Sequence, residues 1–168
     1  MTDAPPAAAQ PEPTDPLPWI FIDADACPVK DEVYRVAQRY RLKTYVVSNS
    51  FMVVPVSKLI ERVVVEAGAD IADDWIAERA RPGDIVVTND IPLADRALKA
   101  GAAAIGANGR AFTEDSIGAA LGKRALMEHL RSTGEITGGP KPFDRNDRSR
   151  FLQALDQAVV KSMRRPRR

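Results

Sequence analysis

Two apolar runs in this chain end in acids. Trp19-Ile20-Phe21-Ile22 leads straight into Asp23-Ala24-Asp25, and Ile85-Val86-Val87-Thr88 leads into Asn89-Asp90. A carboxylate placed where a buried strand surfaces must be hydrated, paired or bound to a cation to stay ionised. Two such strand ends point to a divalent-metal site with Asp23, Asp25 and Asp90 at its centre. Asp95, a little beyond Asp90, and the pair Asp73 and Asp74 enlarge the acidic set. Helical neighbours project about 100° apart, so only one of Asp73 and Asp74 can face such a site, and the sequence does not say which.

The rest of the composition narrows the chemistry. The only cysteine is Cys27 and the only histidine is His129, which excludes a disulfide framework, a multi-cysteine zinc centre and a His-rich one. Metal chemistry must then rest on oxygen ligands, which suit Mg²⁺ or Mn²⁺. One or two such ions activate water and offset charge on a phosphodiester under attack.

Each acid also has an ordinary explanation. Asp23 or Asp25 could cap a helix entered at Pro28, Asp90 could cap the helix entered at Pro92, and Asp70, Asp73 and Asp74 crowd a third helix start, where the helix dipole favours negative charge. Capping explains one aspartate of the Asp23-Asp25 pair but hardly both. Cys27 reads as a packed residue, because Cys27-Pro28-Val29-Lys30 lacks the arginine and glycines of a phosphate-cradling thiol loop. Lys30 lies near the carboxylates and could contact a phosphate. The Ser48-Asn49-Ser50 turn could orient a carboxylate or a phosphate through Ser48 or Asn49.

The net charge of +1 conceals an imbalance. Residues 141–168 carry nine Lys/Arg against three Asp/Glu, leaving fifteen against twenty for residues 1–140. This basic stretch, with Arg145 and Arg148 in its helix, is either a solvated surface or an electrostatic contact for a single-stranded RNA or DNA.

The elements that must position these residues follow from periodicity. Strands are expected at 19–22, 43–47, 62–66, 85–88 and 102–105, and helices at 28–40, 72–80, 92–99, 113–131 and 145–163; residues 51–60 are ambiguous. Alternating strands and helices argue for an α/β fold: a parallel sheet of about five strands flanked by helices, with two further C-terminal helices on its face or edge. In such a sheet ligands gather beyond the carboxyl ends of the strands, so Asp23, Asp25 and Asp90 converge if the first and fourth strands are neighbours. Residues 1–18 hold six of the thirteen prolines and are expected to stand outside a single domain over 19–163, with a basic tail at 164–168. No stretch approaches the roughly 18 apolar residues of a membrane span and the N-terminus lacks signal-peptide order, so a cytoplasmic location is expected, with oligomeric state open.

Ile22-Asp23-Ala24-Asp25-Ala26-Cys27-Pro28-Val29-Lys30, Ser48-Asn49-Ser50, Ala72-Asp73-Asp74-Trp75-Ile76 and Val87-Thr88-Asn89-Asp90-Ile91-Pro92-Leu93-Ala94 resemble motifs of the YaiI/YqxD family of small bacterial proteins. Gly139-Pro140-Lys141-Pro142-Phe143, followed by Asp147-Arg148 and Phe151, resembles its C-terminal signature. That family is similar in turn to the PIN-like superfamily, commonly metal-dependent nucleases with acids at the carboxyl edge of a parallel sheet. The resemblance implies metal-site roles for Asp23, Asp90 and Asp95, with Asp73 or Asp74 at an intermediate acidic position.

Two other functions compete. Phe21-Ile22-Asp23-Ala24-Asp25 resembles the acid pair of haloacid-dehalogenase-type phosphatases, although those enzymes insert a turn and hairpin where Pro28 here starts a helix. A non-catalytic binding module would use the same acids to take a cation or a basic partner.

Overall fold

The structure, a computed structural model, describes residues 17–25, 27–68, 70–132 and 143–164. Most of the proline-rich head, the Gly139–Pro142 part of the C-terminal signature and the end of the basic tail at 165–168 lie outside the described residues. Leu17 already packs against the core and Pro18 is buried, so the fold begins slightly before the expected boundary.

The elements alternate: β1 (Ile20–Asp23), α1 (Lys30–Tyr40), β2 (Thr44–Ser48), β3 (Ile60–Val64), α2 (Ile71–Arg79), β4 (Ile85–Val87), α3 (Ile91–Lys99), β5 (Ala103–Ile105), α4 (Glu114–Ser132) and α5 (Arg145–Met163). All five strands are parallel, in the order β3-β2-β1-β4-β5. The chain therefore starts in the middle of the sheet, builds one half, and returns to the other side of β1 to build the second. The reversal falls between β1 and β4, whose register pairs Ile20 with Ile85, Phe21 with Val86 and Ile22 with Val87.

Strand parity explains both layers of the core. Ile20, Ile22, Val46, Ile85, Val87 and Ile105 face α1 and α5, while Phe21, Tyr45, Val47, Val86 and Ala104 face α2, α3 and α4. Helices on both faces account for the near-continuous apolar runs of β1 and β4. The same parity sends Asp23 to the α2/α3 side with Phe21.

α5 is more than an addition at the edge. Phe151, Leu155 and Val159, four residues apart, are fully buried against the α1 face. Arg39 and the Tyr40 hydroxyl both reach Asp156, at 3.1 and 2.7 Å, and clamp α1 to α5.

Most expected boundaries shift by a residue or two, and three of the shifts bear on the site. β3 starts at Ile60, because Ile60 is buried and in register with Thr44, and residues 51–59 connect β2 to β3 without a helix or strand. α1 starts at Lys30, two residues after Pro28, with Val29 as its N-cap. β4 ends at Val87, which leaves Thr88 just past the strand end.

Candidate acidic site at the sheet switch point

Ile20 to Ile22 fill the interior on both faces, so Asp23 is the first side chain of β1 able to meet solvent. Its Oδ2 accepts the Thr88 hydroxyl at 2.7 Å, and Thr88 Oγ1 accepts the backbone N–H of Asp90 at 2.9 Å. One hydroxyl thus ties the ends of the two central strands together. Asp90 caps α3, accepting Leu93 N–H on Oδ1 at 2.9 Å. It serves as helix cap and site acid at once. Asp25 caps nothing in α1, whose N-cap receives no side-chain bond; its Oδ2 accepts the Asn49 backbone N–H at 3.0 Å. Asn49 orients a carboxylate, as the turn suggested, through its backbone.

Asp23, Asp25, Cys27, Thr88, Asn89 and Asp90 line a cavity of about 310 Å³. Asn89 Oδ1 accepts Ala107 N–H at 2.8 Å and braces the wall towards β5. Burial pushes the Asp23 carboxyl above its usual range; the Thr88 hydrogen bond opposes this, and negative charge on Asp90 and Asp25 adds to it. Burial also pushes the Cys27 thiol up, which keeps it protonated and fits a wall residue better than a nucleophile.

Asp73 and Asp74 stand in different surroundings. The Asp73 carboxyl is pushed up to about 6, first by burial and then by negative charge on Asp90, Asp23 and Asp70. Asp74 is turned outward into an exposed ion pair with Arg96 at 2.6 Å, which links α2 to α3. Asp95 pairs with Lys99 one turn along α3 at 2.8 Å, and none of Asp73, Asp74 and Asp95 lines the cavity.

The expected basic and polar contacts are distributed differently. Lys30 Nζ donates to the Cys27 carbonyl at 3.1 Å and so stays at the site's margin. Ser48 is buried, and its hydroxyl donates to the Ser50 carbonyl at 2.6 Å, closing the turn. Arg148 donates to the Pro28 carbonyl at 2.7 Å and to Glu32 at 3.1 Å, bracing α5 against the start of α1. Arg145 is exposed at the start of α5. Sequence reasoning missed Thr88 and Asn89. Their signal was present: polar side chains between the end of a buried strand and a capping acid.

Among the described residues, no three His, Cys, Asp or Glu side chains stand close enough to enclose a metal ion. Mg²⁺ commonly binds through only one or two carboxylates, keeping waters and taking substrate phosphates as further ligands. Asp23 and Asp90, joined through Thr88, match that donor requirement.

Residues 21–161 match the model of a family described as uncharacterized BCR, YaiI/YqxD family. The chain belongs to the YaiI/YqxD family. It is 70% identical over 145 residues to a UPF0178 protein of Caulobacter sp. (strain K31), covering 86% of this chain and 96% of that one. A UPF0178 protein of Caulobacter vibrioides (strain NA1000 / CB15N) is 66% identical over 145 residues, covering 86% and 95%. UPF0178 protein RPA2191 of Rhodopseudomonas palustris (strain ATCC BAA-98 / CGA009) is 61% identical over 152 residues, covering 90% and 96%. No solved structure matches the chain. No helix among the described residues is long and apolar enough to cross a membrane.

Proposed function

We propose that this YaiI/YqxD protein is a divalent-metal-dependent phosphodiesterase that cuts RNA or DNA single strands, with a PIN-like arrangement of acids. The observation that carries this reading is the joining of Asp23 and Asp90 through Thr88 at the reversal of the sheet, with the Asp73 carboxyl held up by both. Half-buried carboxyls whose ionisation is opposed by burial and then by neighbouring carboxylates are a place where a cation lowers the energy of the ionised state. The oxygen-only donors suit Mg²⁺ or Mn²⁺, which when bound would supply Lewis-acid stabilisation of a phosphate and acidify water.

The chain's own residues would do the rest. Asp23 and Asp90 would hold the cation, and Thr88 fixes the Asp23 carboxylate through its hydroxyl. Asp73 faces the same charge from α2 and contributes at longer range. Asp25, its Oδ2 held by Asn49, offers Oδ1 to the proton lost by an attacking water. Asp74 and Asp95 are committed to Arg96 and Lys99 and hold α2 and α3 rather than metal. The phosphatase alternative has no room for its flap, since only six residues separate the end of β1 from the start of α1.

The test is Mn²⁺ titration into wild type and an Asp23→Ala/Asp90→Ala variant, followed by incubation with labelled single strands of RNA and DNA. Metal binding and strand cutting should disappear together. Unchanged Mn²⁺ affinity in the double variant overturns the ligand assignment, and binding without any cutting in wild type leaves a non-catalytic metal module.

A further inference from the structure

The turn that holds Asp25 also presents an aromatic ring. Asn49 donates to Asp25, Ser50 accepts the Ser48 hydroxyl, and Phe51 follows with 68% of its surface exposed. Phe51 is not a loose side chain. The Arg62 guanidinium, from β3, lies 4.1 Å from its ring centroid, and Arg62 Nη1 donates to the Met52 carbonyl at 3.4 Å. Met52 and Val54 pack inward on the α1-side core while Phe51 and Val53 point out, so the segment is anchored with its ring facing solvent.

Charge is divided across the same edge. Asp23, Asp73 and Asp90 belong to the α2/α3 side, with Arg96 beside them paired to Asp74, whereas Arg62 and Lys30 belong to the α1/α5 side, with Arg148 there paired to Glu32. A polyanion would approach over the second side and reach the first through the cavity. An exposed ring backed by arginine is the device by which single strands are held without sequence preference: a base stacks on the open face and phosphate meets the guanidinium. A duplex has no free base face to offer.

We propose that Phe51, backed by Arg62, is a base-stacking subsite holding a single strand beside the acidic cavity. Asn49 and Phe51 are separated by at most about 7 Å of chain, so the ring belongs to the same turn that holds Asp25. The subsite deepens the phosphodiesterase reading and takes its substrate class from it.

The test measures binding of the full chain in EDTA to fluorescent single strands, base-bearing and abasic, by anisotropy. Wild type should bind the base-bearing strand more tightly than the abasic one. Phe51→Ala should weaken base-bearing binding about tenfold, and Phe51→Trp should restore it. Equal binding by Phe51→Ala, equal binding of the abasic strand, or no binding by wild type overturns the subsite. So does a Phe51→Ala chain whose sedimentation shows lost self-association with unaltered strand binding. Cutting in Mn²⁺, followed in parallel, separates the two claims: Phe51-dependent binding without cutting sinks hydrolysis alone, and cutting with an unaltered KM in Phe51→Ala sinks the subsite alone.

Discussion

Thr88 is the residue on which the site's geometry turns. Its hydroxyl has one proton, and that proton goes to Asp23, while its lone pair takes the Asp90 N–H. Valine has the same shape and neither capacity. Thr88→Val should lower unfolding free energy by about 1–3 kcal/mol in urea denaturation, since an N–H and a buried carboxylate oxygen each lose a partner. It should also weaken Mn²⁺ binding, whereas Thr88→Ser should retain both properties. A Thr88→Val protein with wild-type stability and metal affinity would show that the bridge is dispensable.

Asp73 makes a pH-dependent prediction. Its carboxyl moves from 3.8 to about 6 on folding, so between those values the folded chain holds more protons than the unfolded one. Metal-free stability must therefore fall as pH rises through that window, and the whole penalty is present above it. Asp23, shifted in the same direction, adds to the slope. Asp73→Asn should melt with the wild type below about pH 4 and above it in temperature at pH 7. Coincident melting at pH 7 would remove Asp73 from the charge cluster. At this scale the sequence is only partly informative: acids at strand ends are visible as an anomaly, but the choice between Asp73 and Asp74 depends on where α2 sits and on Arg96, which no local pattern reports.

Among the elements, α3 shows how capping and function share a residue. Asp90→Ala removes both the cap on Leu93 and a site charge, so its stability loss of about 0.5–2 kcal/mol would conceal any relief of repulsion. Asp90→Asn keeps a capping oxygen and loses the charge. It should melt at least as high as wild type without metal, and gain less from added Mn²⁺. Melting of Asp90→Asn as low as Asp90→Ala would mean that the charge itself holds the helix.

Elements with strong periodicity are legible in the sequence, and α5 is the clearest, its apolar residues recurring every fourth position. The strap at 51–59 is not legible, because it alternates inward Met52 and Val54 with outward Phe51 and Val53 as a strand does, yet it forms no strand of the sheet. Its inner side is held by packing and by the Arg62 hydrogen bond to the Met52 carbonyl. The loop after β5 is similarly set by tertiary contact. Gly109 has φ +86°, and an added Cβ would fall 2.6 Å from the backbone of Arg150. Gly109→Ala should push α5 away and cost more than the roughly 1 kcal/mol of a strained backbone alone, measured by denaturant midpoint.

For the whole molecule, the two edges of the sheet have separate duties. At the edge opposite the cavity, Asp84 is fully buried and accepts the N–H groups of Trp19 at 2.9 Å and Arg81 at 3.0 Å. The Ser162 hydroxyl donates to the Gly83 carbonyl in the same corner, fastening the end of α5. This acid escapes a sequence reading because it precedes a strand, as many solvated acids do; only its burial distinguishes it. Asp84→Ala should cost about 3 kcal/mol or more, with Mn²⁺ affinity per folded chain preserved. A loss of metal affinity in the folded Asp84→Ala chain would show that the edges are coupled.

The strand order has a consequence for synthesis. β1 emerges first but lies at the centre, and its partners β2 and β4 lie progressively later in the chain. A nascent polypeptide halted before Thr88 carries Asp23 with nothing to restrain it, and one halted before Phe151 leaves an oily face bare where α5 belongs. Parallel pairing across such separations is slow and prone to aggregation. The acidic centre is thus the product of late assembly, and a ribosome pausing between those two points would expose the chain to its greatest need for a chaperone.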